Sequence, residues 1–276
     1  MNIIGLGKAG CNIAECFQKY PQYNVFQIDV DKVGKRCYNI KYEKGPEEYE
    51  QNAPDFSDFL GQIRGETLLI VGGSGHISAL ALRIIEQLET KSETDILYIR
   101  PDPLLLGSLE KKHEKVTYNV LQHYARSAAI RRLYLVSNLV LEEVVGDISV
   151  MDYYNKINNL LVSTVHMINV FRNDTPVMGG LRSPAETGRI CTFGIFDMKE
   201  NAENLFFSLD SIRDMGYIYG VGEKRLREEG SLHKKIVSQM REKALDETVN
   251  VSFGVFPTQY ENDYGYLLAY SPHIQN

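Results

Sequence analysis

The sequence predicts an α/β fold in which helices cover both faces of a parallel β-sheet, followed by a smaller α+β part. Short β-branched runs alternate with helical runs through the first half of the chain, an order typical of βαβ units. Two glycine-rich turns, at 5–10 and 72–75, each lie between an apolar run and a helix-like run. Backbone N–H groups at a helix start attract anionic oxygens, and glycine allows their close approach. The first half is therefore predicted to be a Rossmann-like nucleotide domain.

Composition excludes several classes of function. The chain of 276 residues has a formal net charge of −6 and 43% apolar residues, so we expect a sizeable core and no direct binding of nucleic acid. Its four cysteines show no CxxC spacing, and neither a metal centre nor a disulfide framework is predicted. No basic leader precedes the first apolar run, and no apolar run approaches about 18 residues. We expect a cytoplasmic protein that does not contact membranes.

The elements of the first half follow from short apolar runs and from helical spacing. Apolar side chains recur at positions 77, 80, 81, 84, 85 and 88, which is the period of a helix. Residues 38–56 are acid-rich and predicted to be irregular. Strands are predicted at 2–4, 23–28, 67–71, 95–99 and 132–136, and helices at 13–20, 59–64, 77–88 and 109–126.

The second half begins with one long predicted helix over 149–172 and an irregular segment, 173–188, rich in Gly and Pro. Four strands and two helices are predicted after it. The last two strands are close in sequence, so we expect them to form a hairpin. The predicted strands are 190–196, 216–221, 249–256 and 263–270, and the predicted helices are 199–213 and 223–245.

The first glycine turn matches the fingerprint of dinucleotide-binding folds. Gly5, Gly7 and Gly10 have the G-x-G-x-x-G spacing, and Asp29 follows Gly10 by 19 residues, where an acid would take ribose hydroxyls. One interpretation is an oxidoreductase that uses NAD or FAD. Another is that the glycines serve only tight packing of the strand on the helix.

The second glycine turn favours a triphosphate site over a dinucleotide site. Gly72, Gly73, Ser74 and Gly75 follow an apolar strand directly, and the Ser74 hydroxyl can cap a helix or bind a phosphate oxygen. A dinucleotide fold does not require a second turn of this kind, whereas a triphosphate held between two loops does. The turn is not a P-loop, because no Gly-Lys-Ser/Thr follows.

Both turns, with their surroundings, resemble the tubulin/FtsZ superfamily over nearly the whole chain. Residues 7–13 are similar to the first phosphate loop of tubulin, and residues 5–12 to the glycine-rich run of FtsZ. Residues 29–31 lie where FtsZ has Asn-Thr-Asp, and 71–77 where the family carries its Gly-Gly-Gly-Thr-Gly signature. The resemblance assigns to the nucleotide Gly7, Lys8, Ala9, Gly10, Cys11, Asn12, Asp29, Gly72, Gly73, Ser74, Gly75, His76, Asn138, Tyr154 and Asn158.

The last three of these would bind the base and the sugar. Tyr154 and Asn158 are spaced as the guanine-stacking Tyr and guanine-binding Asn of tubulin, and residues i and i+4 share a helix face. Asn138 takes the place of the family's base- and sugar-contacting Asn. The alternative is that Tyr154 and Asn158 merely pack at a domain interface.

The signature loop departs from the family pattern. Val71 and Ile77 replace glycines, and His76 replaces a small hydroxyl residue, so we expect phosphate binding to be altered or weaker. Leu106 and Glu110 stand where FtsZ has its ribose contacts. A Glu110 carboxylate that pointed inward would repel a phosphate.

The resemblance also implies where hydrolysis would be completed. In the family, the loop after the central helix supplies acids to the nucleotide of the next subunit. Here the only acidic residues in the segment 173–188 are Asp174 and Glu186. Glu186 matches the last acid of the family's run, and Leu181 and Ser183 stand where the family has the other two acids. We therefore expect slow or absent turnover.

Taken with the resemblance, the sequence predicts a GTP-binding domain at 1–148, a central helix at 149–172 and a C-terminal activation and assembly domain at 173–276. The implied function is head-to-tail filament assembly with GTP/GDP and Mg²⁺. A compact chain without the family's tails indicates a phage- or plasmid-type relative in a bacterial host cytoplasm, with a DNA-associated or capsid cargo adaptor as a further partner. Two alternatives stay open: a non-hydrolysing regulator of the same fold, and the NAD- or FAD-dependent oxidoreductase.

Overall fold

The computed structural model describes residues 1–89 and 91–276. It divides into two compact units, the first formed by residues 1–162 with Asn276 and the second by residues 163–275. Among the helices of the described ranges, none combines the length and the apolar character that crossing a membrane requires.

Over its described residues, the first unit contains six strands and six α-helices of its own, and a seventh α-helix begins in it. The strands are β1 (Asn2–Leu6), β2 (Asn24–Asp29), β3 (Cys37–Asn39), β4 (Gly65–Gly72), β5 (Ser92–Arg100) and β6 (Arg132–Ser137). The helices are α1 (Gly7–Cys16), α2 (Pro46–Gln51), α3 (Ser57–Leu60), α4 (Ala81–Leu88), α5 (Ser108–Arg126), α6 (Asn138–Val145) and α7 (Tyr153–Arg172). Short 3₁₀ turns lie at Phe17–Lys19, His76–Leu80 and Pro103–Leu105.

All six strands of the first unit are parallel, as predicted, in the order β3-β2-β1-β4-β5-β6. The chain moves outward from β1 to β3 on one side and from β4 to β6 on the other. The direction therefore reverses between β1 and β4, and in open parallel sheets ligands bind beside the carboxyl ends of the strands at this point. Leu6 pairs with Val71 at those ends, so the two glycine turns emerge side by side.

The burial of the central strands shows that the parallel sheet is covered on both faces. The central strands are almost entirely apolar, and residues 68–71 of β4 are at most 2% exposed, as expected for strands covered on both faces. Helix α4 buries Ala81, Ile84, Ile85 and Leu88 on one face. The helical spacing predicted for this segment is confirmed, with its first turn in 3₁₀ form.

The second unit combines antiparallel and parallel pairing. Its strands are β7 (Met178–Gly180), β8 (Ile190–Asp197), β9 (Ala202–Leu205), β10 (Asp214–Gly222), β11 (Asn250–Thr258) and β12 (Tyr264–Ser271), with helices α8 (Glu223–Glu228) and α9 (Leu232–Lys243). The order is β8-β12-β10-β11-β7, and β9 pairs with β8. Only β10 and β11 are parallel among the described pairs. Leu232, Ile236 and Met240 of α9 pack into a core cluster with Tyr217 and Tyr219.

Two predictions for this unit were wrong. Residues 199–213 do not form a helix: Ala202–Leu205 is a strand antiparallel to β8, and Phe206, Phe207 and Leu209 are buried beyond it. The last two strands do not form a hairpin, because β10 lies between β11 and β12. The crossover through α8 and α9 makes β11 parallel to β10, and this leaves β12 to pair with β10 from the other side.

The boundaries of other elements differ from the predictions as well. Helix α1 begins at Gly7 inside the first glycine turn, six residues before the predicted start. Residues 38–56 contain α2, which begins at Pro46. The long helix begins at Tyr153 rather than at residue 149, and the predicted helix 223–245 is two helices.

A buried ion pair stabilises the amino-terminal edge of the parallel sheet. Arg131 binds Asp95 through two hydrogen bonds of 2.9 and 2.7 Å, and Asp95 is only 3% exposed. The same guanidinium contacts Glu66 at 2.7 Å and Glu93 at 2.9 Å. Hydrogen bonding to the Asp95 carboxylate raises the pKa of Arg131.

We predict that Arg131→Ala destabilises the fold because it leaves the buried Asp95 carboxylate without its cation. The expected loss in free energy of unfolding is about 3 kcal/mol, measured by urea denaturation. Arg126→Ala, which removes an exposed guanidinium from α5, is the matched control and should cost less than about 1 kcal/mol. Equal losses in the two variants would contradict this assignment.

Candidate functional site

A cavity of about 470 Å³ lies at the carboxyl ends of β1 and β4, where the direction of the sheet reverses. Its wall consists of the first glycine turn with α1, the second glycine turn, and residues of α6 and α7. The lining residues are Leu6, Gly7, Lys8, Ala9, Asn12, Ile13, Gly72, Ser74, Gly75, Ile77, Ser78, Ile99, Asn138, Tyr153, Tyr154, Ile157 and Asn158. All of them belong to the first unit.

The first wall is the start of α1. Gly7 is the first helical residue and has a φ of +69°, a left-handed conformation that favours glycine. A β-carbon at Gly7 would lie 2.4 Å from Cγ2 of Ile77, so the two glycine turns touch at this position. The first backbone N–H groups of a helix have no partner within it and carry the positive end of its dipole. This end of α1 therefore suits an anion.

The other two fingerprint glycines have a packing role. A β-carbon on Gly5 would lie 2.5 Å from the carbonyl oxygen of Gly10, and one on Gly10 would lie 2.5 Å from the carbonyl oxygen of Ile70. These contacts bring α1 directly against β1 and β4. Close packing thus accounts for Gly5 and Gly10, whereas Gly7 also lines the cavity.

The second wall is the loop after β4. The Ser78 hydroxyl donates a hydrogen bond to the Gly72 carbonyl oxygen, and the Gly73 N–H donates to the carbonyl oxygen of Ile99 at 2.9 Å. Gly73 lies against the buried side chain of Tyr98, and a β-carbon there would be 2.3 Å from the phenolic oxygen. The loop is therefore held from both sides, and Ser74 is left beside the cavity.

Tyr98 itself is anchored by a buried carboxylate. Its hydroxyl donates to Oε1 of Glu114 at 3.0 Å, and burial together with the charge of Glu114 raises the pKa of Tyr98. Arg100 contacts the same oxygen at 3.4 Å. The hydroxyl consequently remains protonated and keeps a fixed position behind the loop.

The rest of the cavity wall is contributed by α6 and α7. Tyr154 and Asn158 both line it, one turn apart on α7, and Asn138 is the first residue of α6. The Tyr154 ring is 72% exposed and meets the ring of Tyr153 edge-on at 5.1 Å. Burial and a hydrogen bond to Glu142 raise the pKa of Tyr153 to about 12. An exposed aromatic ring beside an amide on the same helix is suited to stack on a planar ligand and bind its edge.

Most polar side chains of the cavity wall have no hydrogen-bond partner in the described part of the chain. Six of them make no side-chain hydrogen bond or ion pair with any described residue: Lys8, Asn12, Ser74, Asn138, Tyr154 and Asn158. Lys8 is the only charged residue among the described residues that line the cavity, and none of those residues carries a carboxylate. The wall thus offers hydrogen bonds and one positive charge to an occupant.

Five residues predicted to bind the ligand do not line the cavity: Gly10, Cys11, Asp29, Gly73 and His76. The Cys11 thiol is buried and donates to the carbonyl oxygen of Gly5 at 3.3 Å. Burial, with a smaller contribution from the charge of Asp29, raises the pKa of Cys11 to about 12. Oδ1 of Asp29 accepts a hydrogen bond from the Val30 N–H at 2.9 Å. Cys11 therefore supports the first glycine turn from within the protein, whereas Asp29 caps the N–H of the residue that follows it.

The side chains of Glu110 and His76 have partners outside the cavity lining. The Glu110 carboxylate accepts a hydrogen bond from the Gly107 N–H at 2.8 Å and so caps the start of α5 rather than facing the cavity. The ring of His76 lies edge-on to that of His113, with their centroids 5.3 Å apart.

Seven residues that line the cavity were not predicted as site residues from the sequence: Leu6, Ile13, Ile77, Ser78, Ile99, Tyr153 and Ile157. Most are apolar residues at strand ends or on helix faces, which cannot be distinguished from core residues in a sequence. Ser78 had a usable signal, because it is a hydroxyl residue within the buried stripe that follows the second turn.

The two acids predicted to act in hydrolysis lie in the second unit and are exposed. Asp174 accepts a hydrogen bond from the Thr175 N–H at 2.7 Å. The Glu186 side chain contacts no donor among the described residues. The described part of the chain also contains no group of three His, Cys, Asp or Glu side chains placed to bind a metal ion.

The fold is similar to that of several solved structures. A GTPγS-form protofilament of TubZ from Bacillus thuringiensis serovar israelensis matches with a TM-score of 0.71 and 13% identity, covering 98% of this chain and 86% of that one. An empty FtsZ dimer from M. jannaschii matches at 0.67 and 14%, covering 98% and 87%. GTPγS-bound CetZ2 from Haloferax volcanii matches at 0.70 and 15%, covering 97% and 92%.

Neither a protein-family model nor a curated protein matches the sequence. At 13–15% identity the structural matches establish the fold. The chain has the tubulin/FtsZ fold that its glycine turns and element order predict.

We predict that Gly73→Ala destabilises the protein because its methyl group would collide with the Tyr98 hydroxyl. The expected loss in free energy of unfolding is about 1–3 kcal/mol. Gly72→Ala, whose β-carbon would meet only Ala9 at 3.3 Å, is the matched control and should cost less. Urea denaturation of both variants in wild-type and Tyr98→Phe backgrounds measures the effect. Because Tyr98→Phe removes the clashing oxygen, losses that simply add would contradict the contact.

Proposed function

We propose that the cavity binds GTP or GDP, with the phosphates at the two glycine turns and the guanine beside Tyr154 and Asn158. The observation that carries this proposal is the set of six polar side chains that line the cavity and make no side-chain hydrogen bond or ion pair with the described residues. The elements that carry them fit the ligand: Lys8, Asn12 and Ser74 belong to the two glycine turns and α1, and the remaining amides and the aromatic ring belong to α6 and α7. The GTPγS and GDP forms of TubZ, which share the fold, support the choice of nucleotide.

The charge of the cavity wall supports the anionic half of the ligand. With one cation, no carboxylate and the positive end of the α1 dipole, the wall favours phosphate oxygens. Asp29, on which a dinucleotide fingerprint depends, is not among the described residues that line the cavity. This weakens the case for an NAD- or FAD-dependent oxidoreductase.

Mg²⁺ would enter with the triphosphate. Because the described lining residues include no carboxylate, the ion would be held mainly by phosphate oxygens and water, and the Ser74 hydroxyl and the Asn12 amide oxygen could serve as protein ligands. Its chemistry there is to neutralise the charge of the phosphates.

We further propose that the protein assembles head-to-tail with copies of itself. Related folds are found as protofilaments and filaments of TubZ. Val150 and Met151, which directly precede α7, are 92% and 94% exposed. Leu104 and Leu105, in the loop after β5, are 86% and 82% exposed. A second subunit in contact with this end of the first unit would bury these four apolar side chains, and a heterologous contact of this kind propagates into an open filament.

In this proposal hydrolysis is completed across that contact. The exposed carboxylate of Glu186, with Asp174 as the second acid, would orient the attacking water on the nucleotide of the adjacent subunit. Since Leu181 and Ser183 replace the other acids, turnover would be slow. A cytoplasmic role in a phage or plasmid system, with a cargo adaptor, is the setting that this assembly fits.

The second candidate is a regulator of the same fold that binds nucleotide without hydrolysing it or assembling. It is favoured by the side chain of Ile77, which lies against Gly7 where the family has glycine. Sedimentation with GTP and with GTPγS distinguishes the two candidates: pelleting with either supports the filament, and pelleting with neither supports the regulator.

We predict that Asn158→Ala weakens GTP binding about tenfold, because a side-chain hydrogen bond to the guanine edge is lost. Titration with a fluorescent GTP analogue measures the dissociation constant. Asn159→Ala is the matched control, since the Asn159 side chain bonds to Asn155 and Lys19 and does not line the cavity. An unchanged affinity in Asn158→Ala, or NAD competing as well as GTP, would contradict the assignment of the base site.

We predict that Glu186→Ala slows phosphate release roughly 100-fold and prolongs the life of the polymers, because the acid that orients water is removed. Release of phosphate and light scattering after GTP addition measure the two effects. Glu247→Ala, at another exposed position of the second unit, serves as control. If neither rate nor polymer lifetime changes in Glu186→Ala, Glu186 is not the trans-acting acid.

A further inference from the structure

A second cavity of the first unit lies on the other side of the loop that follows β4. It has a volume of about 430 Å³ and is formed by α2, the 3₁₀ turn His76–Leu80 with the start of α4, and one face of α5. Gly75 and Ser78 line this cavity and the first one. We call it the α2–α5 groove, and this loop contributes to the wall of both the groove and the proposed phosphate site.

The groove has an apolar floor and an acidic edge. Ala81 and Leu121 are buried in its floor, and Leu82, Val116 and Val120 extend the apolar surface outward. Glu47 and Glu50, on the exposed face of α2, supply its only formal charges, since no Lys or Arg is among the described residues that line it. Neither carboxylate has a hydrogen-bond or ion-pair partner among those residues.

One polar atom in the wall of the groove is unsatisfied. Nδ1 of His113 is buried and has no hydrogen-bond partner among the described residues, and His113 lines the groove. A buried polar atom without a partner costs free energy unless an occupant satisfies it. This atom is closed to solvent, so the choice of occupant rests on the apolar floor and on the two carboxylates.

These features point to one class of ligand. The geometry points to the α2–α5 groove as a binding site for a small organic ammonium cation with a hydrocarbon body, such as an alkylamine or a polyamine. The hydrocarbon would cover the apolar floor, and the ammonium N–H groups would donate to the carboxylates of Glu47 and Glu50. A carboxylate ligand would be repelled by the same two acids, and a neutral alcohol would lose the charge interaction.

The position of the groove also gives it a means of affecting the first cavity. The His113 ring contacts His76 edge-on, and Ser78, which faces both cavities, ties the loop through the Gly72 carbonyl oxygen. An occupied groove would restrict the loop before nucleotide binds. The loop would then lose less conformational entropy when it binds the phosphates. This coupling rests on the proposed function, whereas binding of the amine does not.

Binding is tested on the full chain without nucleotide, by methyl NMR of Leu82, Val116 and Val120. The probes are hexylammonium, hexanol and hexanoate at pH 7, which share a hydrocarbon and differ in charge. We expect saturable shifts with hexylammonium, at an affinity about fivefold or more above that for hexanol, and none with hexanoate. Equal binding of hexanol, or tighter binding of hexanoate, would overturn the proposal.

Two variants assign the site, and their thermal unfolding midpoints show whether they fold. The double variant Glu47→Gln/Glu50→Gln should reduce hexylammonium affinity to that of hexanol, and Ala79→Phe should fill the groove and abolish binding. Glu48→Gln, a carboxylate of the same helix outside the groove lining, is the matched control and should leave affinity within about twofold of the wild type. Loss of binding in Glu48→Gln as large as in the double variant would contradict the site.

The coupling is measured separately, as GTP affinity with and without saturating hexylammonium. We expect a two- to fivefold rise, roughly the lower end of typical coupling between sites, and no rise in Ala79→Phe. Amine binding without this rise would overturn the coupling alone. Failure of GTP to bind at all would contradict the proposed function and leave the amine site standing on its NMR data.

Discussion

The parallel pairing of β1 with β4 is the constraint on which the site depends. Because Leu6 and Val71 are register partners, the residues that follow them leave the sheet at the same edge and at the point where its order reverses. Gly7 must then be glycine for its positive φ and for its contact with Ile77. One pairing thus places a helix start, a glycine loop and the carboxyl ends of two strands around one cavity.

Packing behind the two turns preserves this arrangement. Gly5 and Gly10 allow α1 to lie directly on the strands, and the anchored Tyr98 hydroxyl supports Gly73 from below. The same close packing explains why a glycine motif is an ambiguous signal of ligand binding. Its spacing is required by close approach of backbone to backbone as well as by close approach of backbone to phosphate, and only the structure separates the two roles.

Much of the fold could be predicted because local pattern and tertiary environment agree in the first unit. Apolar runs such as 67–71 and the stripe of α4 are buried as their periods indicate. The segment 199–213 was mispredicted because its apolar residues have helical spacing, yet pairing with β8 determines the conformation of Ala202–Leu205. The hairpin prediction failed because proximity in sequence was taken for pairing, whereas β10 lies between the two strands. In the site, Tyr154 and Asn158 could be predicted from spacing and resemblance, but the apolar lining residue Ile157 has no sequence signal that distinguishes it from the core.

The central claim is that a guanine nucleotide occupies the cavity with its phosphates at the two turns. A crystal structure of the protein grown with GTPγS and Mg²⁺ tests it most directly. The account predicts phosphate oxygens within hydrogen-bonding distance of the Gly7–Ala9 and Gly72–Gly75 backbone, with the guanine between Tyr154 and Asn158. A cavity that remains empty at saturating nucleotide, or a nucleotide bound elsewhere on the chain, would contradict it.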